Sequence, residues 1–88
     1  MKVDFKKSFL KDLKKLKNES LHNAVYEVIV QVESANNLNQ IKNLKKLTGY
    51  EVHYRIRIGD YRIGLKFEDE VLYFVVLEHR KDIYKGFP

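Results

Sequence analysis

Three arginines in the C-terminal half of the chain are spaced so that they could hold a phosphate group. Arg55 and Arg57 alternate with apolar residues ahead of Gly59-Asp60, and Arg62 follows directly after that pair. Gly-Asp is typical of a two-residue hairpin loop, which would place Arg57 opposite Arg62. Facing guanidinium groups repel each other, and a phosphate bound between them would relieve the repulsion. From spacing alone, a phosphate site and an ordinary solvated sheet face are equally consistent. The other polar residues on this side of the predicted hairpin are His53 and Lys66.

Arg80 and Tyr84 follow the last apolar run and are four residues apart, a spacing that one helical turn would bring to one side. Whether Arg80 faces the same way as Arg62 depends on the acidic turn at residues 68–70. A three-residue loop gives the two arginines the same facing, and a two-residue loop reverses it. The turn alone leaves both possibilities open. A tyrosine at such a position more often packs with its hydroxyl exposed than acts as an acid or base.

The three histidines do not form a metal-binding pattern. His22 lies in a predicted helix and His53 and His79 in the predicted sheet region, with no carboxylate at clear ligand spacing. The chain has no cysteine, which excludes disulfides and thiolate zinc sites. We therefore expect neither a metal nor a cofactor.

Positive charge is concentrated in two blocks of a chain whose net charge is +5. Residues 1–17 contain seven Lys and two Asp, and residues 41–66 contain seven basic and two acidic residues. A basic block is more often a solvated face than a nucleic-acid footprint. Lysines interrupt the apolar residues of the N-terminal segment, so we expect neither a signal peptide nor a membrane span, and a cytoplasmic location.

The hydrophobic pattern predicts the elements that would position these groups. Alternation over residues 1–5 indicates a strand, and helical spacing over residues 9–16 and 21–32 indicates two amphipathic helices in an antiparallel hairpin. The period changes to two near residue 52, which predicts a meander of three strands. We expect a single α+β domain over residues 1–88. Its N-terminal strand and antiparallel meander would form one sheet, with the helices packed on one face.

The stretch LTGYEVHYRIRIGDYRIGLKFEDEVLYFVVLEHRKDIY resembles the core signature of RelE/ParE toxins. Within it, YRIRIGDYRI followed by a hydrophobic strand and HRKDIY is similar to the RelE branch. VDFKKSFLKDLKKL resembles the first strand and helix of that family. The resemblance implies a toxin of a type II toxin–antitoxin system that cuts mRNA in the ribosomal A site. Cleavage would use the 2′-hydroxyl of the mRNA without a metal, and the partners would be the ribosome, mRNA and an acidic antitoxin.

The resemblance also implies roles for individual residues. Arg62 would stabilise the phosphate, Arg80 would do the same or act as an acid, and Tyr84 would stack on a base. Arg55 and Arg57 stand where some members have lysine, and arginine is a poor general base because it stays protonated. Either another group takes the proton, or the substrate is activated mainly by electrostatics. The candidates for such a group are His53 and His79, and His79 is the better one because some relatives use a late histidine. The expected RNA contacts are Arg55, Arg57, Lys45, Lys46, Lys66 and Lys81.

Two other functions fit the same fold. The chain could be a ParE-like inhibitor of DNA gyrase, or a catalytically silent relative that binds RNA or an antitoxin. Four residues follow Tyr84 where some members have a further helix. We therefore expect a more open site, with no C-terminal helix for an antitoxin to displace.

Overall fold

A computed structural model describes all residues from 1 to 88. Its elements are β1 (Lys2–Phe5), α1 (Lys7–Lys15), α2 (Glu19–Ser34), a short 3-10 helix (Leu38–Gln40), β2 (Leu44–Lys46), β3 (His53–Ile58), β4 (Tyr61–Glu68), β5 (Val71–His79) and α3 (Ile83–Gly86). None of the three α-helices combines the length and apolar character needed to cross a membrane.

The strands form one sheet in the order β1-β5-β4-β3-β2, in which β1 is parallel to β5 and all other neighbours are antiparallel. The predicted α+β class and the two-helix hairpin are confirmed. The predicted number of strands is wrong, because β2 adds a fifth strand at the edge beside β3. This strand has three residues and one apolar side chain, so it is too short to show an alternating pattern.

The core lies between the helices and one face of the sheet. Phe9 of α1 is fully buried, and its ring packs edge-on against Phe74 of β5 at 5.3 Å between centroids. The α2 residues Leu21 and Val25 cover the same face, and Asn18 caps that helix by accepting a hydrogen bond from the Leu21 amide at 3.1 Å. Burying each large apolar side chain stabilises the fold by about 1.5–3 kcal/mol. The sheet residues of this core are Ile56, Ile63, Leu65, Leu72, Phe74 and Leu77.

The β3–β4 hairpin has the predicted register. Arg57 faces Arg62, and Arg55 faces Gly64. Gly59 begins the two-residue loop in the left-handed region, at a φ of 56°, which glycine adopts without steric strain. The apolar residues of the hairpin therefore lie beneath the helices, and the arginines lie on the opposite side of the sheet.

The β4–β5 hairpin contains a β-bulge that decides where Arg80 lies. Its turn is a two-residue loop, since Glu68 pairs with Val71, and this alone would turn Arg80 away from Arg62. Between Gly64 and Leu65 the register shifts, which leaves Val75 of β5 without a partner. The extra residue reverses the facing of the rest of the strand. Beyond it the Arg80 amide donates to the Asp60 carbonyl at 2.8 Å, so Arg80 shares the facing of Arg62.

Helix α1 covers the outer edge of β5 beyond the end of β1. The Ser8 hydroxyl donates to the Val75 carbonyl, and the Leu77 amide donates to Asp12 Oδ2 at 3.0 Å. These side chains occupy backbone groups that would otherwise be open at a sheet edge. The half of β5 that leads to Arg80 is thereby fixed to α1.

The residues after Tyr84 fold back over the arginine-bearing side of the sheet. Phe87 is 5% exposed and lies on Gly64, where an added Cβ would come within 2.8 Å of two of its ring carbons. Ile83 is fully buried, and its carbonyl accepts a hydrogen bond from the Phe87 amide at 3.0 Å. Phe87 therefore covers the part of this face around Gly64.

Candidate nucleic-acid interface

The arginine face consists of Arg55, Arg57 and Arg62 on the side of the sheet away from the helices, with Arg80 and Tyr84 beside it. The charges of these residues act on one another across the face. Partial burial lowers the pKa of Arg62, and the positive charges of Arg57, Arg55 and Arg80 lower it further, while Tyr84 acts in the opposite direction. Such a concentration of like charge favours a bound anion.

Arg62 is held in place by the hairpin turn. Its Nη1 donates to the Gly59 carbonyl at 2.8 Å and to the Tyr61 carbonyl at 2.9 Å. The Nε and Nη2 hydrogens make no bond within the chain and can donate to a phosphate. Because the turn fixes the side chain before a ligand arrives, Arg62 loses less conformational entropy on binding than a free arginine would.

The acidic residues near the face do not neutralise it. Arg80 Nε lies 3.9 Å from Asp60 Oδ1, and both side chains are mostly exposed, so this ion pair is weak. Glu78 faces Arg62 across the strands. Burial raises the pKa of Glu78, and the negative charges of Asp12 and Asp82 raise it further. Glu78 thus lies among the charges of α1 and the C-terminal turn.

His79 lies on the other side of the sheet. It pairs with Tyr61, and the two ring centroids are 5.4 Å apart. Its Nδ1 accepts a hydrogen bond from the Lys81 amide at 3.1 Å. Together with Asp12 and Lys15 of α1 it lines a groove on the helix-bearing side. His79 therefore faces away from the arginine face, because the bulge that turns Arg80 toward that face turns His79 to the other side.

The four candidate lysines have different positions relative to the face. Lys45 pairs with Arg55 and shares its side, whereas Lys46 pairs with Tyr54 and has the opposite facing. Lys66 is on the arginine side but forms an ion pair with Glu68 at 3.0 Å. Lys81 is exposed just beyond β5. Of the four, Lys45 adds most directly to the arginine face.

Lys45, Arg55 and Arg57 line a polar cleft of about 260 Å³ between β2 and β3. Two of these three residues belong to the arginine face, so the cleft extends that face toward the edge of the sheet. A line of cations of this kind suits the backbone of a nucleic acid strand.

An aromatic pocket next to the arginine face was not predicted from the sequence. It has a volume of about 290 Å³ and is lined by Leu47, Thr48, Tyr50, Tyr84, Phe87 and Pro88. Tyr50 and Tyr84 are about half exposed. His53 lies beside this pocket, with its ring 5.5 Å from Tyr50 and 5.4 Å from Phe87 between centroids. Tyr50 comes from a loop, where no periodic pattern marks it.

The chain matches the family described as the ParE toxin of the type II toxin-antitoxin system parDE over residues 3–84. Toxin RelE3 of Methanocaldococcus jannaschii is 40% identical over 89 residues, which cover 100% of both chains. A solved RelB-RelE antitoxin-toxin complex from Methanococcus jannaschii superimposes with a TM-score of 0.78 at 38% identity, covering 96% of this chain and 98% of that chain. An archaeal RelE-RelB complex from Pyrococcus horikoshii OT3 gives a TM-score of 0.71 at 25% identity, with coverages of 90% and 93%. Family and fold agree, and this chain belongs to the RelE-like toxins of the RelE/ParE superfamily.

Proposed function

We propose that this protein is the toxin of a type II toxin–antitoxin system and that it cuts mRNA bound in the ribosomal A site. The observation that carries the proposal is the arginine face, on which the four positive charges of Arg55, Arg57, Arg62 and Arg80 outnumber the neighbouring acids Asp60 and Glu78. A poison that acts only through protein contacts does not need a cluster of cations on one exposed sheet face. A ribonuclease needs such a cluster to hold the phosphate at the reacting bond.

In the reaction that we propose, the 2′-oxygen of the mRNA attacks the adjacent phosphorus and the 5′-oxygen of the next nucleotide leaves. Negative charge accumulates on the phosphate oxygens in the transition state. Arg62, held by the turn, donates to these oxygens, and Arg55 and Arg57 add positive charge. Arg80 lies where its positive charge can stabilise the leaving oxygen, which takes a proton from solvent as the bond breaks.

Arg55, Arg57, Arg62 and Arg80 supply no base for the proton of the attacking hydroxyl. Arginine remains protonated, so Arg55 and Arg57 act through their charge. Nearby positive charge lowers the pKa of the 2′-hydroxyl and eases transfer of its proton to solvent or to a group of the ribosome. We therefore expect cleavage to rise with pH, as measured by the rate in a reconstituted system.

A reconstituted translation system with primer extension of the mRNA tests the proposal. The wild-type protein is expected to produce new ends within the codon in the A site, and Arg62→Ala to reduce their rate by about 10²–10³-fold. Lys46→Ala is the matched control, because this residue belongs to the same basic block but has the opposite facing. Equal cleavage by Arg62→Ala and wild type would contradict the proposal.

An acidic antitoxin is the partner that we propose. The related toxins from Methanococcus jannaschii and Pyrococcus horikoshii were each solved with a RelB chain. An acidic segment that folds on binding would complement the arginine face and compete with mRNA. Co-expression with the adjacent gene product, followed by the cleavage assay, tests this: a purified complex should not cut.

Inhibition of DNA gyrase is the second candidate, favoured by the family description of the matching ParE toxin. It predicts loss of supercoiling activity and intact mRNA. A supercoiling assay run beside the cleavage assay separates the two functions. If neither activity is found while RNA still binds, the chain is a silent binding relative.

A further inference from the structure

We infer that the aromatic pocket binds one unpaired nucleobase of the RNA strand and that Tyr50 is the ring that stacks on it. The inference rests on the proposed function, since it assigns a base-binding site beside the proposed phosphate site. It goes beyond that function because it names a loop residue outside the arginine face as a determinant of substrate binding.

The pocket has the size and lining for a single ring system. Its volume of about 290 Å³ is at the lower limit of ligand pockets, which are about 300–1,000 Å³. One wall comes from residues 47–50, between β2 and β3, and the other from Tyr84 and the residues after it. The walls combine apolar side chains with polar groups, among them the Thr48 hydroxyl and two phenol groups. A planar heterocycle with polar edges fits this combination.

One of the aromatic side chains of the pocket is buried, and the other two are exposed. Phe87 is 5% exposed and packs on the sheet, whereas Tyr50 is 46% exposed and Tyr84 is 55% exposed. Large aromatic side chains are usually more buried than this when their role is packing. Exposed rings over a fixed apolar base are what proteins use to bind unpaired bases, since every base offers a flat face for stacking.

The loop holds Tyr50 in position without a ligand. The Leu47 amide donates to the His53 carbonyl at 2.9 Å, and the Tyr50 amide donates to the Leu47 carbonyl at 3.2 Å. Gly49 allows the tight turn with a φ of 85°. The Tyr50 and His53 rings pack in a T-shaped arrangement, and the His53 ring in turn contacts Phe87. Binding therefore requires little ordering of the wall.

The pocket is continuous with the arginine face. His53 contacts the pocket residues and is two positions before Arg55 on the same side of β3, which is about 6.5 Å along the strand. Tyr84 lines the pocket and also lies close enough to Arg62 to act on the pKa of its guanidinium group. A strand whose phosphate lies on the arginines can therefore place an adjacent base in the pocket. An apolar side chain of a protein partner has no comparable reason to enter beside four cations.

Binding of short RNA provides the test. A fluorescent single-stranded RNA hexamer is titrated with wild type, Tyr50→Ala, Tyr50→Phe and Tyr26→Ala at fixed low salt, and each titration is repeated with hexamers that lack one base. Tyr26 is the matched control, because it is an exposed tyrosine on α2. Tyr50→Ala is expected to weaken binding about ten- to a hundredfold. Tyr50→Phe keeps the stacking ring and should bind as wild type does.

The base-deleted RNAs decide whether Tyr50 contacts a base. Deleting one particular base should weaken wild-type binding by the same factor as Tyr50→Ala, and it should have no further effect in that variant. The inference is overturned if the wild type does not bind the hexamer or if Tyr50→Ala binds it as tightly as the wild type. It is also overturned if deleting the base weakens binding by Tyr50→Ala as much as it weakens binding by the wild type. Tyr50→Ala must also unfold in urea at the same midpoint as Tyr50→Phe, which excludes misfolding.

The two proposals can fail separately. If Tyr50→Ala cuts mRNA normally in the translation assay and binds RNA as the wild type does, base binding in the aromatic pocket is contradicted. The proposed function is not affected by that result. In the opposite case, deletion of one base and Tyr50→Ala would weaken binding by the same factor without adding up, while the wild type would cut no mRNA. That result would support base binding in the aromatic pocket and contradict the proposed endonuclease activity.

Discussion

At the scale of single residues, the arginine face combines groups that stabilise a ligand with contacts that destabilise the free protein. Arg57 and Arg62 face each other across two strands, and no acid lies between them. Burial and three neighbouring positive charges lower the pKa of Arg62. Like charges directly opposite in a sheet destabilise the fold, so this pair favours binding over stability.

Replacing Arg57 with Gln should therefore stabilise the free protein while it weakens RNA binding. Gln keeps much of the aliphatic stem, so the main change is the loss of one positive charge. We expect the free energy of unfolding in urea to rise by about 0.2–1 kcal/mol at low salt, and the gain to shrink at high salt.

The control for this prediction is Lys46→Gln. This substitution removes a positive charge from β2, on the side of the sheet opposite to the arginine face. Its unfolding midpoint should change little, since Lys46 is exposed. A lower stability of Arg57→Gln than of wild type at low salt would show that repulsion between the arginines is not significant.

At the scale of the elements, the C-terminal turn and β4 fit together through one glycine. An alanine Cβ at position 64 would lie 2.7 Å from Val76 Cγ2 and 2.8 Å from the Phe87 ring. We expect Gly64→Ala to lower the free energy of unfolding by about 1–3 kcal/mol, because the ring must move. The same movement would disturb the aromatic pocket and reduce RNA binding.

A double-mutant cycle in urea checks the origin of this loss. In the Phe87→Ala background, Gly64→Ala should destabilise the protein less than it does in wild type. Gly86→Ala is the matched control, since a Cβ there meets nothing within 4 Å and its φ is not in the left-handed region. Additive effects of Gly64→Ala and Phe87→Ala would mean that the ring is not the obstacle.

The sequence predicts those elements whose side chains alternate clearly. The β3–β4 register follows from a two-residue turn and from polar residues at every second position, and the structure agrees. Strand β5 is different because it is apolar on both faces, so its pattern does not reveal the extra residue at Val75. The facing of Arg80 and His79 therefore could not be determined from the sequence.

The side of the sheet on which a site residue lies could be predicted only for residues of the β3–β4 hairpin. Arg55, Arg57 and Arg62 lie on one side as expected, and Lys45 joins them through a strand that was not predicted. Tyr50 lies in a loop, and its position depends on how residues 47–52 fold over the sheet. Phe87 lies at the site because its ring packs on Gly64 of β4. The two residues are far apart in the sequence, so no local periodicity indicates this contact.

At the scale of the whole molecule, electrostatics should dominate RNA affinity. The net charge is +5, and the arginine face concentrates part of it on one surface. We expect the logarithm of the RNA binding constant to fall linearly with the logarithm of the salt concentration. Arg62→Ala should reduce the slope of that line by about 1, which corresponds to the loss of one phosphate contact, whereas Lys46→Ala should leave the slope nearly unchanged. Parallel lines for wild type and Arg62→Ala would exclude a phosphate contact by Arg62.

The parallel pairing of β1 with β5 also bears on how the protein is synthesised. Residues 2–5 pair with residues 71–74, so the first strand to leave the ribosome has no partner until β5 has been made. The helices can form earlier, since their hydrogen bonds are local, but the sheet closes late. Arg80 and Tyr84 are translated later still. A nascent chain therefore cannot bring Arg80 and Tyr84 beside Arg55, Arg57 and Arg62 until β5 has been made.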